Sequence, residues 1–203
     1  MVEQVDDSGL FVTLLQILER IQAPYMIVGA YAAILYGLMR STYDIDIVVD
    51  LSPEDVTALA DAFPPPRYYA DIQQMRDSIR QGIMFNIVDT TFGTKADLVP
   101  MGNNLRNRSA MQHRTRQLVI LPGREPFEVW CARPEDVIVG KLNAWAEGRS
   151  SKHKWDIQQM LTFGGSRTAP GTFDLAYVDA HARQMGDEVV DYWRSVWNAV
   201  HPE

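Results

Sequence analysis

The chain has 203 residues, is 46% hydrophobic and carries a formal net charge of −7 at pH 7. That length and apolar content suffice for a sizeable core, and the acidic balance excludes a protein that coats nucleic acid broadly. A single cysteine, Cys131, excludes an intrachain disulfide framework and agrees with a reducing cytoplasm. The first residues are acidic (Glu3, Asp6, Asp7) and lack the basic flank of a signal peptide. No apolar run reaches the length needed to span a bilayer, so a cytoplasmic location and no membrane partner are expected.

In chain order, apolar residues at helical spacing from Leu10 to Ile21 predict a helix that packs on a sheet. Tyr25 to Val28 reads as a short strand, Gly29 as a turn, and the next residues as a helix of about two turns ending near Gly37. The stretch Arg40-Ser-Thr-Tyr-Asp44-Ile-Asp46-Ile-Val-Val-Asp50 starts polar and runs into an apolar strand. Ser52-Pro53-Glu54-Asp55 is a helix start, with a Ser cap, Pro at the first position and acids behind it. That helix should end before Phe63-Pro64-Pro65-Pro66, a stiff connector. Ala70 to Arg80 is expected to be helical. Ile83 to Val88 and Thr94 to Val99 predict a hairpin across Thr91-Phe92-Gly93. Gln117 to Leu121 and Phe127 to Cys131 predict a second one through Pro122-Gly123-Arg124, with Cys131 a core thiol. From Pro134 onward the pattern is helical, broken at Phe163-Gly164-Gly165. The fold class is therefore mixed α/β: a sheet flanked by helices over residues 1–132, then a helical region, 133–203, packed on it.

The chemistry concentrates on the strand at Asp44. Successive strand residues alternate faces, so Asp44 and Asp46 point the same way, about 6–7 Å apart at their Cα atoms. Two carboxylates so placed can converge on divalent ions held about 3.5–4 Å apart, the separation of two-metal phosphoryl chemistry. A solvated strand end with a chance Asp pair is the plain alternative. Gly29 lets the backbone approach a ligand closely, and amides at the helix start, including that of Ala30, suit phosphate. Asp97, on the later strand Lys95-Ala-Asp97-Leu-Val-Pro100, could supply a third ligand or the base that takes a proton from an attacking hydroxyl. Thr42 shares the Asp44 face and could position a phosphate or an Asp. Arg40 could pair with Asp44 or contact a nucleotide. Asp50 lies too far along the strand to share the same ions. Two basic clusters, Arg106, Arg108, His113, Arg114 and Arg116, and Arg149, Lys152, His153 and Lys154, are either solvated loops or local holds for triphosphate or RNA. A calcium loop, a Walker loop, a Gly-x-Gly-x-x-Gly turn and a zinc set are all excluded by the residues present.

A Gly turn and helix, then Arg-x-Thr-x-Asp-x-Asp on a strand, then a lone Asp on a later strand resembles the nucleotidyltransferase superfamily of DNA polymerase β type. The closer resemblance is to its bacterial toxin-like AbiEii branch. Pro134-Glu135-Asp136-Val-Ile-Val-Gly-Lys141-Leu-Asn-Ala-Trp145 and Lys154-Trp-Asp156-Ile also resemble that branch, so that the likeness covers roughly residues 24–162. Ala30 departs from the Gly or Ser usual there, leaving the contact to backbone amides. The resemblance implies two Mg²⁺ or Mn²⁺ ions on Asp44, Asp46 and Asp97, and a nucleoside triphosphate as substrate. It implies an RNA or protein acceptor, and a toxin with a cognate antitoxin or a role in phage defence. It also implies that Lys141 reaches nucleotide phosphate and that Asp156 lies near the active site. From spacing alone, Lys141 shares a helix face with Val137 and Trp145 and would snorkel past them, and Asp156 in a first turn would favour the helix dipole. Two other readings stay open: a non-catalytic binding or antitoxin module on the same scaffold, and a nucleotidyltransferase acting on a small molecule such as an antibiotic.

Overall fold

The chain divides into two compact units, one made of the residues up to Ala30 with Thr42–Cys131, the other of Tyr31–Ser41 with the residues from Ala132. The structure, a computed structural model, describes residues 9–121, 123–169 and 171–202. Glu3, Asp6, Asp7 and the turn residue Pro122 lie outside them.

In the first unit, helix α1 (Gly9–Arg20) buries Leu10, Leu14, Leu15 and Leu18 completely. This stripe recurs every three to four residues and faces the rest of the unit's core, touching the sheet. Strand β1 (Tyr25–Val28) leads into helix α2 (Gly29–Leu35), whose residues from Tyr31 onward belong to the second unit. Strand β2 (Asp44–Val49) follows, then helix α3 (Pro53–Ala62). The start of α3 is closed by a reciprocal capping box: the Ser52 side chain accepts from the Asp55 amide, and the Asp55 side chain accepts from the Ser52 amide. Strand β3 (Tyr68–Tyr69) and helix α4 (Ile72–Gln81), capped by the Asp71 side chain, precede the hairpin β4 (Phe85–Asp89) and β5 (Thr94–Pro100). Helix α5 (Leu105–Gln112) and the hairpin β6 (Thr115–Val119) and β7 (Phe127–Cys131) complete the unit.

The strands form one mixed sheet in the order β3-β4-β5-β2-β1-β7-β6. Strand β2 sits in its middle, antiparallel to β1 and parallel to β5. A parallel neighbour needs a long crossover, and the segment from α3 to β4 supplies it. Ile45 and Ile47 are fully buried, whereas Asp44 on the other face is exposed and Asp46 half-buried. The central strand thus carries its apolar side chains into the core and its acids to the opposite face. Cys131 is buried, as a core thiol should be.

Three local differences from the sequence expectation have physical causes. The stretch with Arg106 and Arg108 forms α5, capped by the Asn104 side chain on the Asn107 amide at 3.1 Å. Only Ala110 and Met111 of this helix are buried, so it has no apolar stripe for periodicity to detect. Arg114 and Arg116 are not free in a loop: both guanidiniums lie over the Trp130 ring, at 4.5 and 4.9 Å, and Arg116 pairs with Glu19 at 2.6 Å. The two-residue strand β3 exists because Tyr68 and Tyr69 pair with Asp89 and Val88, a partner about twenty residues away.

The second unit is helical: α6 (Pro134–Gly148), α7 (Lys152–Phe163), α8 (Leu175–Met185) and α9 (Asp187–Val200), with a 3₁₀ turn at Gly165–Arg167. Helix α6 touches the other three, and α9 closes against α7 and α8. Ile138, Leu142, Ile157, Met160, Val178, Trp193 and Val196 form its core. Among the described residues, no helix is long and apolar enough to cross a membrane.

Candidate active site

Three carboxylates share the polar face of the sheet in the first unit. In the parallel pairing of β2 with β5, Asp46 stands directly opposite Asp97, and Asp44 opposite Lys95. Neighbouring strands run about 4.8 Å apart, so Asp46 and Asp97 are nearest neighbours across the ladder. Asp97 is 7% exposed. Its Oδ2 accepts from the Lys95 ammonium at 2.8 Å, and its Oδ1 is buried without a hydrogen-bond partner. Burial, the charge of Asp97 and the charge of Asp44, in that order, push the Asp46 carboxyl above its ordinary range, against the opposing Lys95 charge and the Ala30 amide. The hydrogen bond to Asp97 and the surrounding carboxylates hold Lys95 firmly as an ammonium.

The Gly turn is built around this cluster. Gly29 has φ +66°, a left-handed conformation that L side chains seldom adopt. A Cβ on it would collide with the Asp46 carboxylate, reaching within 2.9 Å of Cγ. The next amide, that of Ala30, donates to Asp46, so this amide serves the carboxylate. Thr42 sits just ahead: its hydroxyl accepts from the Asp44 amide at 3.2 Å and donates to the Asp44 carbonyl at 3.0 Å. It thereby fixes where β2 begins. Gly29→Ala should therefore strain the backbone and displace Asp46. We expect it to lose about 1–3 kcal/mol of stability, read by urea unfolding, together with most activity.

The second unit holds the remaining predicted site residues. Arg40 does not pair with Asp44: its Nε and Nη2 donate to Oδ1 and Oδ2 of Asp156, each at 3.1 Å. The Lys141 ammonium donates to Asp156 Oδ2 at 2.6 Å. Lys141 thus spans its helix face to an acid rather than snorkelling to solvent, and Asp156 does more than favour a dipole. Burial works against the Asp156 charge, yet the hydrogen bonds and charges of Arg40 and Lys141 outweigh it and hold the carboxyl below its usual range. Asp156 is 1% exposed, so this is a buried carboxylate clamped by two cations. Of the second basic cluster, Arg149 pairs with Glu188 at 2.7 Å.

Carboxylate oxygens are the donors that hard divalent ions take. Among the described residues, no three acidic, His or Cys side chains stand close enough to hold an ion unaided. Magnesium seldom needs such a cage, since it is held by one or two carboxylates and completed by water and substrate phosphate. The free Asp97 Oδ1 and the mutual repulsion at Asp46 are what a cation would relieve. The residues therefore fit the group. Lys95 was not singled out from sequence, although its i, i+2 spacing from Asp97 already put it on the same strand face.

A family model described as "Nucleotidyl transferase AbiEii toxin, Type IV TA system" matches residues 28–191. The chain belongs to this AbiEii family. It is accordingly a nucleotidyl-transfer enzyme. Solved structures share the fold. A nucleotidyltransferase-like protein from Paracoccidioides brasiliensis superposes with a TM-score of 0.53 at 16% identity, covering 97% of each chain. A protein described as a "putative nucleotidyltransferase from H. pylori" gives 0.50 at 16% identity, over 98% of this chain and 84% of that one. No curated protein matches the sequence. The AbiEii match spans both Asp44–Asp46–Asp97 and Arg40–Lys141–Asp156.

Proposed function

We propose that this AbiEii-family enzyme moves a nucleoside monophosphate from a nucleoside triphosphate to a hydroxyl of an RNA or protein acceptor, with divalent ions as cofactor. The observation that carries this reading is the cluster of Asp46, Asp97 and Asp44 beneath the Gly29 turn. Asp44, Asp46 and Asp97 would hold Mg²⁺ or Mn²⁺, in a two-ion arrangement. When bound, the ions neutralise and orient the triphosphate.

The residues of the chain do the rest. The bare Gly29 turn lets the Asp46 carboxylate sit against the backbone, and Ala30 contributes only its amide, which holds that carboxylate. Thr42 positions Asp44. Asp97 would also help take the proton from the acceptor hydroxyl. The acceptor oxygen then forms its bond to the α-phosphorus while the α–β bridging bond breaks and pyrophosphate leaves. Arg40, Lys141 and Asp156 are the second unit's nucleotide-contacting set in this reading, with Asp156 keeping both cations in fixed positions. The family's description supports a toxin's role, with an antitoxin as cognate partner. In this reading the enzyme acts in the cytoplasm, where triphosphate and acceptor are at hand.

The test is transfer of label from each of four α-³²P nucleoside triphosphates, with Mg²⁺ or Mn²⁺, into total RNA and protein. Label entering one acceptor class with the wild type, and at least about a thousandfold less with Asp44→Ala/Asp46→Ala, is the expected result. A folded wild type that labels neither polymer under any metal would overturn the polymer acceptor.

A further inference from the structure

The carboxylate cluster contains a cation of its own. Lys95 stands opposite Asp44 across the parallel ladder and one strand step from the Asp46–Asp97 pair. Its ammonium lies 2.8 Å from Asp97 Oδ2, while Oδ1 of the same carboxylate is buried and unmet. One half of Asp97 is thus neutralised from within the chain, and the other half is buried without a partner. The Lys95 side chain is 35% exposed, so its end borders solvent and can leave without unpacking the core. Lysine chemistry suits a counter-ion that must come and go, because its compact charge rides on a flexible four-carbon stem without the fixed fork of an arginine. Three carboxylates crowded on one face repel each other, and some positive charge must offset them before any divalent ion arrives.

We propose that Lys95 is the built-in counter-ion of this site: its ammonium holds Asp97 in the metal-free protein and yields Oδ2 when a divalent ion enters. The proposal rests on the metal-dependent reading above. It explains why the acids stay clustered without an ion. It also makes entry of the ion a competition, so that Mg²⁺ or Mn²⁺ alone binds weakly. A triphosphate arriving with the ion gives the displaced ammonium a new partner, and binding of the two becomes mutually favourable. An ordinary structural ion pair would behave differently, because its removal would lower stability and leave ion affinity unimproved.

The experiment titrates Mn²⁺, without nucleotide, into the full chain and follows the free ion by electron paramagnetic resonance. The proteins are wild type, Lys95→Met, Lys95→Arg, Lys95→Met/Asp97→Asn and Asp46→Asn, each checked for folding by circular dichroism, with Lys95→Gln in reserve. Lys95→Met should bind Mn²⁺ about tenfold more tightly than wild type, the order expected from removing one nearby positive charge that solvent partly screens. Lys95→Arg should stay near wild type, and the gain should vanish in Lys95→Met/Asp97→Asn. In EDTA, Lys95→Met should melt below wild type, and saturating Mn²⁺ should reverse that order. If Lys95→Met binds no more tightly than wild type while Asp46→Asn loses binding, Lys95 is not the counter-ion and the metal reading stands. If wild type and Lys95→Met both fail to bind Mn²⁺ alone, the counter-ion proposal falls, and if both still fail after a nucleoside triphosphate is added, the metal reading falls with it.

Discussion

Asp46→Asn should abolish nucleotidyl transfer, by about a thousandfold or more, and yet melt higher than wild type at neutral pH. Burial comes first in pushing the Asp46 carboxyl up, followed by the charges of Asp97 and Asp44. A carboxyl whose folded value lies above its ordinary value of 3.8 contributes stability that is fully present below 3.8. That contribution is lost as the pH rises through the folded value. At pH 7 the ionised Asp46 therefore strains the fold, and an amide of the same shape relieves it. The gain should be a few degrees in melting temperature at pH 7, and it should shrink as the pH falls toward the carboxylate range. Thermal melts from pH 4 to pH 8 in EDTA read this directly. A lower melting point for the variant at pH 7 would mean that the charge is well satisfied in the metal-free fold. Retained transfer would remove the cluster from the chemistry. A site that is less stable than its neutral replica is one held for function.

The second large effect lies in the helical unit. Asp156→Ala leaves the Lys141 ammonium buried with its partner gone, because Lys141 is 6% exposed. Removing one member of a buried ion pair costs about 3–5 kcal/mol, which urea unfolding would resolve easily. Replacing the pair together, as Lys141→Met/Asp156→Leu, should recover most of that loss, since no buried charge remains and the volume is kept. Arg40, 35% exposed at its side chain, can turn to water. If the double variant is as unstable as Asp156→Ala, packing rather than charge governs the site. The pH dependence has the opposite sign to that of Asp46. Asp156 has a lowered folded value, so its contribution is present above about pH 4 and is lost as the pH falls through the folded value. Asp156→Asn should lack that acid-sensitive component.

Much of this was legible in the residues. Strong periodicity placed α1, and the Ser-Pro-Glu-Asp start placed α3, because each carries a local signal that tertiary context does not override. Alternation along β2 already set Ile45 and Ile47 against Asp44 and Asp46, since strand geometry has a period of two whatever surrounds it. The AbiEii resemblance followed from residue types in order, and the family match confirms it. Helix α5 and strand β3 left no such trace. One is a polar helix held by an Asn cap, the other two tyrosines whose order comes wholly from a distant strand.

By itself, then, the amino-acid order determined the strongly patterned elements, which faces of them are apolar and which residue types could do phosphoryl chemistry. All of these depend on neighbours within a few positions. Only the tertiary structure decided the pairing of Asp46 with Asp97, the intrusion of Lys95, and the capture of Asp156 by Arg40 and Lys141. Those depend on strand register and helix docking, which bring Asp97 beside Asp46 across a long crossover and Arg40 to Asp156 over 116 positions. Such contacts arise from burying the whole core at once, and no local pattern encodes which partner each side chain finally takes.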